Sequence, residues 1–259
     1  MLTIKTSWTI LSLLLIISML LCPLSVDSAE VSVWQDNFET NDLLGWQVLN
    51  ETDATFATSS TQKYSGSYSG RLNITADAGT GYIVTALRTS GYSTFYLRSR
   101  IYMTSAMATS MATNGDYVAL LMVANQSGST IVVELRFGQD AGLGGYIIAL
   151  YNGLAGQDVY KSGITWSAWD DTWHTVEVKV VVSATVGEVY LWVDGVLEDS
   201  GTSLNTGTAT AGRLYIGSSS TSGVTDDAYF DDIVFDTSRQ VGLGWRIKED
   251  SAIGGGYHY

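Results

Sequence analysis

The sequence predicts an all-β protein, a two-sheet antiparallel jelly-roll sandwich preceded by an N-terminal signal helix. Three observations carry this. Beyond residue 30 the apolar residues recur with period two, in many short runs. Gly, Ser, Asn and Asp punctuate those runs. No stretch after residue 30 shows a long helical period.

The first element is the exception. Lys5 precedes an apolar run from Trp8 to Leu24, followed by Ser25, Ser28 and Ala29. A positive end, an apolar middle and a small-residue zone form the order of an export signal, expected over residues 1–29 with cleavage after Ser28 or Ala29. A retained anchor is the competing reading, but a bilayer-spanning helix needs about 20 apolar residues. Cys22 raises a lipid anchor as well, and Leu21 before it is not the small residue such signals carry. The expected location is therefore secreted, extracellular or at the cell surface.

The strands follow in order. Phe95, Leu97, Ser99, Ile101 and Met103 alternate with Tyr96, Arg98, Arg100 and Tyr102. Met103 to Gly115 is small and Met-rich and is expected to be a loop. Tyr117 to Ala124 and Tyr146 to Tyr151 are apolar throughout, as central strands covered on both faces are. Between them Ile131, Val133, Leu135 and Phe137 alternate with Val132, Glu134 and Arg136. His174, Val176, Val178 and Val180 alternate with Thr175, Glu177 and Lys179, and Val189, Leu191 and Val193 with Glu188, Tyr190 and Trp192. Arg213 to Gly217 is a further strand, and Ala228 to Phe235 is the last. Residues 237–259 form a tail. No linker or repeat divides the chain, so residues 30–236 read as one domain.

Composition narrows the chemistry. The sole Cys and the sole Pro lie in the signal segment, so the exported chain would have no disulfide. The net charge is −13, which argues against nucleic acid and against an anionic membrane once the signal is removed. Two histidines, His174 and His258, are too few for a His-built zinc site.

The run Trp173-His174-Thr175-Val176-Glu177-Val178, a short loop, then Gly187-Glu188-Val189-Tyr190-Leu191-Trp192-Val193-Asp194-Gly195 resembles the hairpin of laminin G-like domains, which belong to the concanavalin A-like lectin/glucanase superfamily. Asp36-Asn37-Phe38-Glu39 with Trp46 is similar to the first strand of extracellular carbohydrate-binding jelly rolls, and Ala228-Tyr229-Phe230-Asp231-Asp232-Ile233-Val234-Phe235 to their last. Lys63 to Ser69 resembles their early S-G-x-x-S turn. The resemblance covers roughly residues 34–236 and implies a fold shared by lectins, enzymes, adhesion and structural modules.

Candidate sites follow. Asp36, Glu39, Asp231 and Asp232 lie in terminal strands that pair in such domains, and the resemblance implies one structural Ca²⁺ there. Carboxylates without His suit that ion. The alternative is aspartates facing water at strand ends and turns. Tyr96, Arg98, Arg100, Tyr102, Glu134, Arg136, Glu177, Lys179, Tyr190 and Trp192 occupy polar strand faces and could bind a glycan, rings against C–H faces and charges against hydroxyls. The alternative is a cross-strand charge ladder. Trp166, Trp169 and Trp173 could add rings at the rim. The paired-carboxylate motif of the superfamily's glucanases, E-x-D-x-x-E, is absent, while Glu134 and Glu177 stand singly on their strands. The expected function is thus a non-catalytic carbohydrate-binding module. An adhesive or structural surface or virion module that contacts protein, and a divergent glycan-cleaving enzyme, are the alternatives. Sequons for N-glycosylation stand at Asn50, Asn73 and Asn125.

Overall fold

A computed structural model describes residues 33–75, 80–86, 91–111, 115–142, 144–151, 159–220 and 224–242. The expected signal segment and residues 243–259 lie outside them.

The first sheet runs, edge to edge, β13 (Val196–Leu204), β12 (Gly187–Val193), β11 (Trp173–Val181), β6 (Thr94–Met103), β15 (Asp226–Asp236), β4 (Ser69–Ile74) and β3 (Ala54–Ser59). The second runs β10 (Val159–Ile164), β9 (Gly144–Tyr151), β8 (Ile131–Asp140), β7 (Tyr117–Ala124), β14 (Arg213–Ser220), β5 (Thr80–Ala86) and β2 (Gln47–Thr52). Every pairing is antiparallel. The chain crosses between the sheets repeatedly, so β14 and β15 are neighbours in sequence but sit inside different sheets. This is the jelly-roll sandwich that the alternation predicts.

Period two decides which side of each strand meets the core. Phe95, Leu97 and Ile101 of β6, Val176, Val178 and Val180 of β11, and Val189, Leu191 and Val193 of β12 all point inward and are buried. Leu135, Phe137, Ile147, Leu214 and Ile216 answer from the second sheet. Phe95 stacks on Phe235 at 5.2 Å, which ties β15 to β6 on the inner side. Each such side chain contributes about 1.5–3 kcal/mol on burial.

Two features pin the edges of this arrangement. β1 (Trp34–Asp36) pairs with the second half of β15, Asp36 opposite Ile233, so the first and last strands do meet. Between the halves lies a bulge: the register shifts between Asp231 and Val234, and Asp232 takes φ +46. The β12–β13 connection is the two-residue turn Asp194-Gly195, with φ of +51 and +79, a type I′ geometry that matches strand twist.

Three expectations need correction. Residues 103–115 are not all loop, for α1 (Ser105–Ser110) forms there. Thr104 caps it by accepting the Met107 N–H at 3.2 Å, and Met107, Ala108 and Met111 bury one stripe. Trp166 and Trp169 do not ring a rim. They form α2 (Trp166–Trp169), meet edge to face at 5.6 Å and are buried in the core. β9 is not a central strand: it lies next to the sheet edge, its inner residues Ile147 and Ala149 buried and its outer residues Tyr146 and Ile148 only partly covered. β7 is buried on both faces, as expected.

Candidate functional site

The outer face of the first sheet collects most of the polar side chains singled out above. The register sets them in rows. Trp192 lies opposite Glu177, which lies opposite Arg98. Tyr190, Lys179 and Tyr96 form the next row, followed on β15 by Asp236. Thr175, Arg100 and Asp231 form another, and Trp173, Tyr102, Tyr229 and Arg71 a fourth.

The β12 end of this face is partly open. Tyr190 and Trp192, two apart on one strand, stack with centroids 5.6 Å apart and planes 13° from parallel. Lys179 Nζ sits 4.8 Å from the Tyr190 ring centroid and 2.7 Å from Glu188 Oε2. Burial favours a neutral amine, but Glu188 outweighs it and holds Lys179 above its usual range. The result is a stacked aromatic platform with a charged donor and a charged acceptor at its side.

The centre of the face is closed. Arg98 is 0% exposed and Glu177 2%, although both point away from the core. Two irregular segments lie over this centre. One is the segment 237–242, turned back by Asp236, whose Oδ1 accepts the Ser238 N–H at 2.7 Å. Its Val241 and Gly242 N–H groups donate to Glu177 Oε1 and Oε2 at 2.6 and 3.0 Å, and Gly242 O accepts from Arg98 Nη1 at 2.9 Å. The other is the loop 60–68. The Arg100 guanidinium lies 4.1 Å over the Tyr64 ring, and the Tyr64 and Ser65 N–H groups donate to Asp231 Oδ2 at 2.9 and 3.1 Å.

Burial sets the electrostatics of this centre. It pushes Arg98 down to about 10, so the guanidinium keeps its charge at neutral pH. It raises Glu177 despite the backbone donors that favour the carboxylate. Asp231 is pushed up to about 7, first by burial and then by the neighbouring Asp232 carboxylate.

The expected glycan surface is therefore divided. Tyr96, Tyr190 and Trp192 stay partly open on one face with Lys179, whereas Arg98, Arg100 and Glu177 are buried on the same face under chain and Tyr102 is buried beside Trp173 and Tyr229. Glu134 and Arg136 are not on it at all. They lie on β8 of the second sheet, where Arg136 Nε and Nη2 donate to Glu134 at 2.9 and 3.2 Å and the guanidinium covers the Tyr117 ring at 4.3 Å. The charge ladder also takes a different form, since that pair spans two residues of one strand. Glu134 and Glu177, being on different sheets, do not form a carboxylate pair.

The expected calcium ligands are held separately. Asp36 accepts the Phe38 N–H at 2.7 Å and the Trp46 indole at 2.6 Å. Glu39 accepts the Ser67 and Tyr68 N–H groups at 2.9 Å, beneath Gly66, whose φ of +60 and contact with that carboxylate leave no room for a Cβ. Asp231 accepts Tyr64, Ser65 and, at 2.7 Å, the Asp232 N–H. Asp232 is buried at the bulge. Among the described residues no group of three or more His, Cys, Asp or Glu is disposed to hold a metal ion.

Of the sequons, Asn73 Nδ2 donates to Asp227 Oδ1 at 2.7 Å, and Asn125 Oδ1 accepts the Ser129 and Thr130 N–H groups in the β7–β8 turn. Sequence reasoning missed the two covering segments. The one local signal was Asp236-Thr237-Ser238, a side-chain turn pattern that redirects the chain.

No family model matches the chain, and no curated protein matches it. Solved structures do. Cip1, a cellulose-induced protein, is 17% identical, with 82% of this chain and all of that one aligned at a TM-score of 0.58. The receptor-binding domain of botulinum neurotoxin C/D mosaic serotype is 12% identical over 81% of this chain and 48% of its own, at 0.55. The binding domain of botulinum neurotoxin DC in complex with rat synaptotagmin II is 12% identical over 75% and 44%, at 0.52. This chain spans the full length of the first and less than half of the toxin domains. The likeness is one of fold, a two-sheet β-sandwich.

Proposed function

We propose that this protein is a secreted, non-catalytic carbohydrate-binding module of the concanavalin A-like, laminin G-like kind. The stacked Tyr190–Trp192 pair carries the reading. Two near-parallel rings, partly open on a sheet face, offer the C–H side of a pyranose an apolar aromatic contact. Lys179 and Glu188, tied at 2.7 Å beside the rings, supply a donor and an acceptor for hydroxyls. A core role does not account for these rings, because the inward positions of β12 are filled by Val189, Leu191 and Val193.

The test is a glycan array with the purified chain, followed by titration of any hit against Trp192→Ala. Loss of one stacking ring removes about 0.5–1.5 kcal/mol beyond contact area, roughly a two- to tenfold rise in Kd. Unchanged affinity in a folded variant refutes the platform. A second reading, a surface module that contacts protein, draws on the toxin binding domain of the same fold whose structure is a complex with synaptotagmin II. It is favoured if every glycan fails and the same variant loses binding to a surface protein.

A further inference from the structure

We propose that Glu177 and Arg98 form a second saccharide subsite, shaped for a vicinal diol, and that the segment 237–242 occupies it as a main-chain stand-in which ligand displaces. The inference rests on the carbohydrate reading of the Tyr190–Trp192 platform.

The contacts under the segment suggest what it replaces. Two consecutive N–H donors, from Val241 and Gly242, meet the two oxygens of one carboxylate, Glu177, at 2.6 and 3.0 Å. One oxygen, Gly242 O, meets Arg98 Nη1 at 2.9 Å. Gln240 adds a side-chain hydrogen bond to Glu177. Two adjacent hydroxyls of a pyranose present the same pair of donors to a carboxylate, and a ring or hydroxyl oxygen beside them presents the acceptor to a guanidinium.

Position gives the second argument. Glu177 is the register partner of Trp192, so the subsite abuts the platform. A saccharide residue stacked on Trp192 would place its neighbour where the segment now lies. Energetics points the same way. Burying a carboxylate and a guanidinium on the outer side of a sheet costs desolvation that a purely structural cover repays poorly. A polar strip kept for a polar ligand explains why these positions are not apolar.

A bound segment competes with ligand. If the open form is about one tenth of the population, the apparent Kd is about tenfold weaker than the intrinsic one. The experiment uses the full chain carrying Val241→Pro and Gly242→Pro. Proline has no N–H to give Glu177, and it cannot adopt the φ of +67 at Gly242. Both proteins are titrated with oligosaccharides of two or more residues taken from the array, with Trp192→Ala alongside. The expected result is affinity about tenfold tighter in the proline variant, with Trp192→Ala weakening binding roughly two- to tenfold in both backgrounds. Equal affinity in variant and wild type overturns the stand-in while leaving the platform intact. No binding by either protein overturns the carbohydrate reading and this inference with it. Should the proline variant not fold, hydrogen exchange on the wild type decides. Val241 and Gly242 amides should lose protection when the oligosaccharide binds, and retained protection in the bound state refutes displacement.

Discussion

Asp194 is the residue whose removal should most directly unsettle the hairpin that carries the platform. It stands in the turn after Trp192 with φ +51, a region where Ala is disfavoured by about 1 kcal/mol or more and Asp or Asn is tolerated. Its Oδ1 accepts the Thr175 N–H at 2.9 Å, worth about 1 kcal/mol. Its Oδ2 lies 2.7 Å from His174 Nδ1, while His174 Nε2 lies 2.9 Å from Trp169 O and the imidazole stacks on the Trp169 ring at 4.0 Å. One carboxylate thus joins the turn, the start of β11 and α2. The Asp194 side chain is 48% exposed, so the His174 pair is discounted to about 0.5 kcal/mol. Asp194→Ala should therefore cost about 2–3 kcal/mol. Asp194→Asn, which keeps the backbone preference and one acceptor, should cost about 1 kcal/mol. For a chain of this size the Ala variant should melt roughly 4–12 °C lower. Burial works against the charged form of Asp194, but the hydrogen bonds from His174 and Thr175 outweigh it and depress the carboxylate pKa. Its contribution is accordingly present above the ordinary carboxylate range and lost as pH falls through the lowered value. Urea unfolding of the three proteins at neutral pH is the assay. An Ala variant no less stable than the Asn variant would refute the argument from turn geometry, and both within about 0.5 kcal/mol of wild type would refute the clamp.

Three further outcomes are expected. Asp231, raised from 3.8 to about 7, holds a proton in the folded state that the unfolded chain releases. Its share of stability is full below pH 3.8 and falls by up to about 4 kcal/mol as pH rises to 7. Denaturation at several pH values should show a shallower decline in Asp231→Asn, and equal slopes would count against it. Glu134→Gln and Arg136→Ala should leave glycan affinity unchanged, because both residues lie on the second sheet; a severalfold loss on titration would move the binding face. Thermal melts with added calcium and with chelator should coincide, since Asp36, Glu39 and Asp231 are engaged by N–H groups of the chain. A fall with chelator, with bound calcium found by elemental analysis, would instead support a cation held by Glu39 with Asp231 or Asp232.

The sequence by itself determined the local geometry. Alternation along β6, β11 and β12 sorted Val176 and Leu191 inward and Glu177 and Trp192 outward, because side-chain direction along a strand depends only on parity. Asp194-Gly195 specified its turn through the φ values those residues tolerate. Only the tertiary structure decided which strands share a sheet. Glu134 and Arg136 have the same parity signal as Glu177 and Arg98, yet β8 joins the second sheet and β6 and β11 the first. Sheet membership comes from contacts between distant segments, which no local period encodes. The same holds for what lies over a face. Arg98 and Glu177 read as exposed from their strands, and they are buried because residues 237–242, more than sixty positions from Glu177, return across them. Asp231 likewise finds its partners at Tyr64 and Ser65, about 166 residues away. Backbone N–H groups must be satisfied wherever burial leaves them, and the carboxylates that satisfy them are chosen by proximity in space.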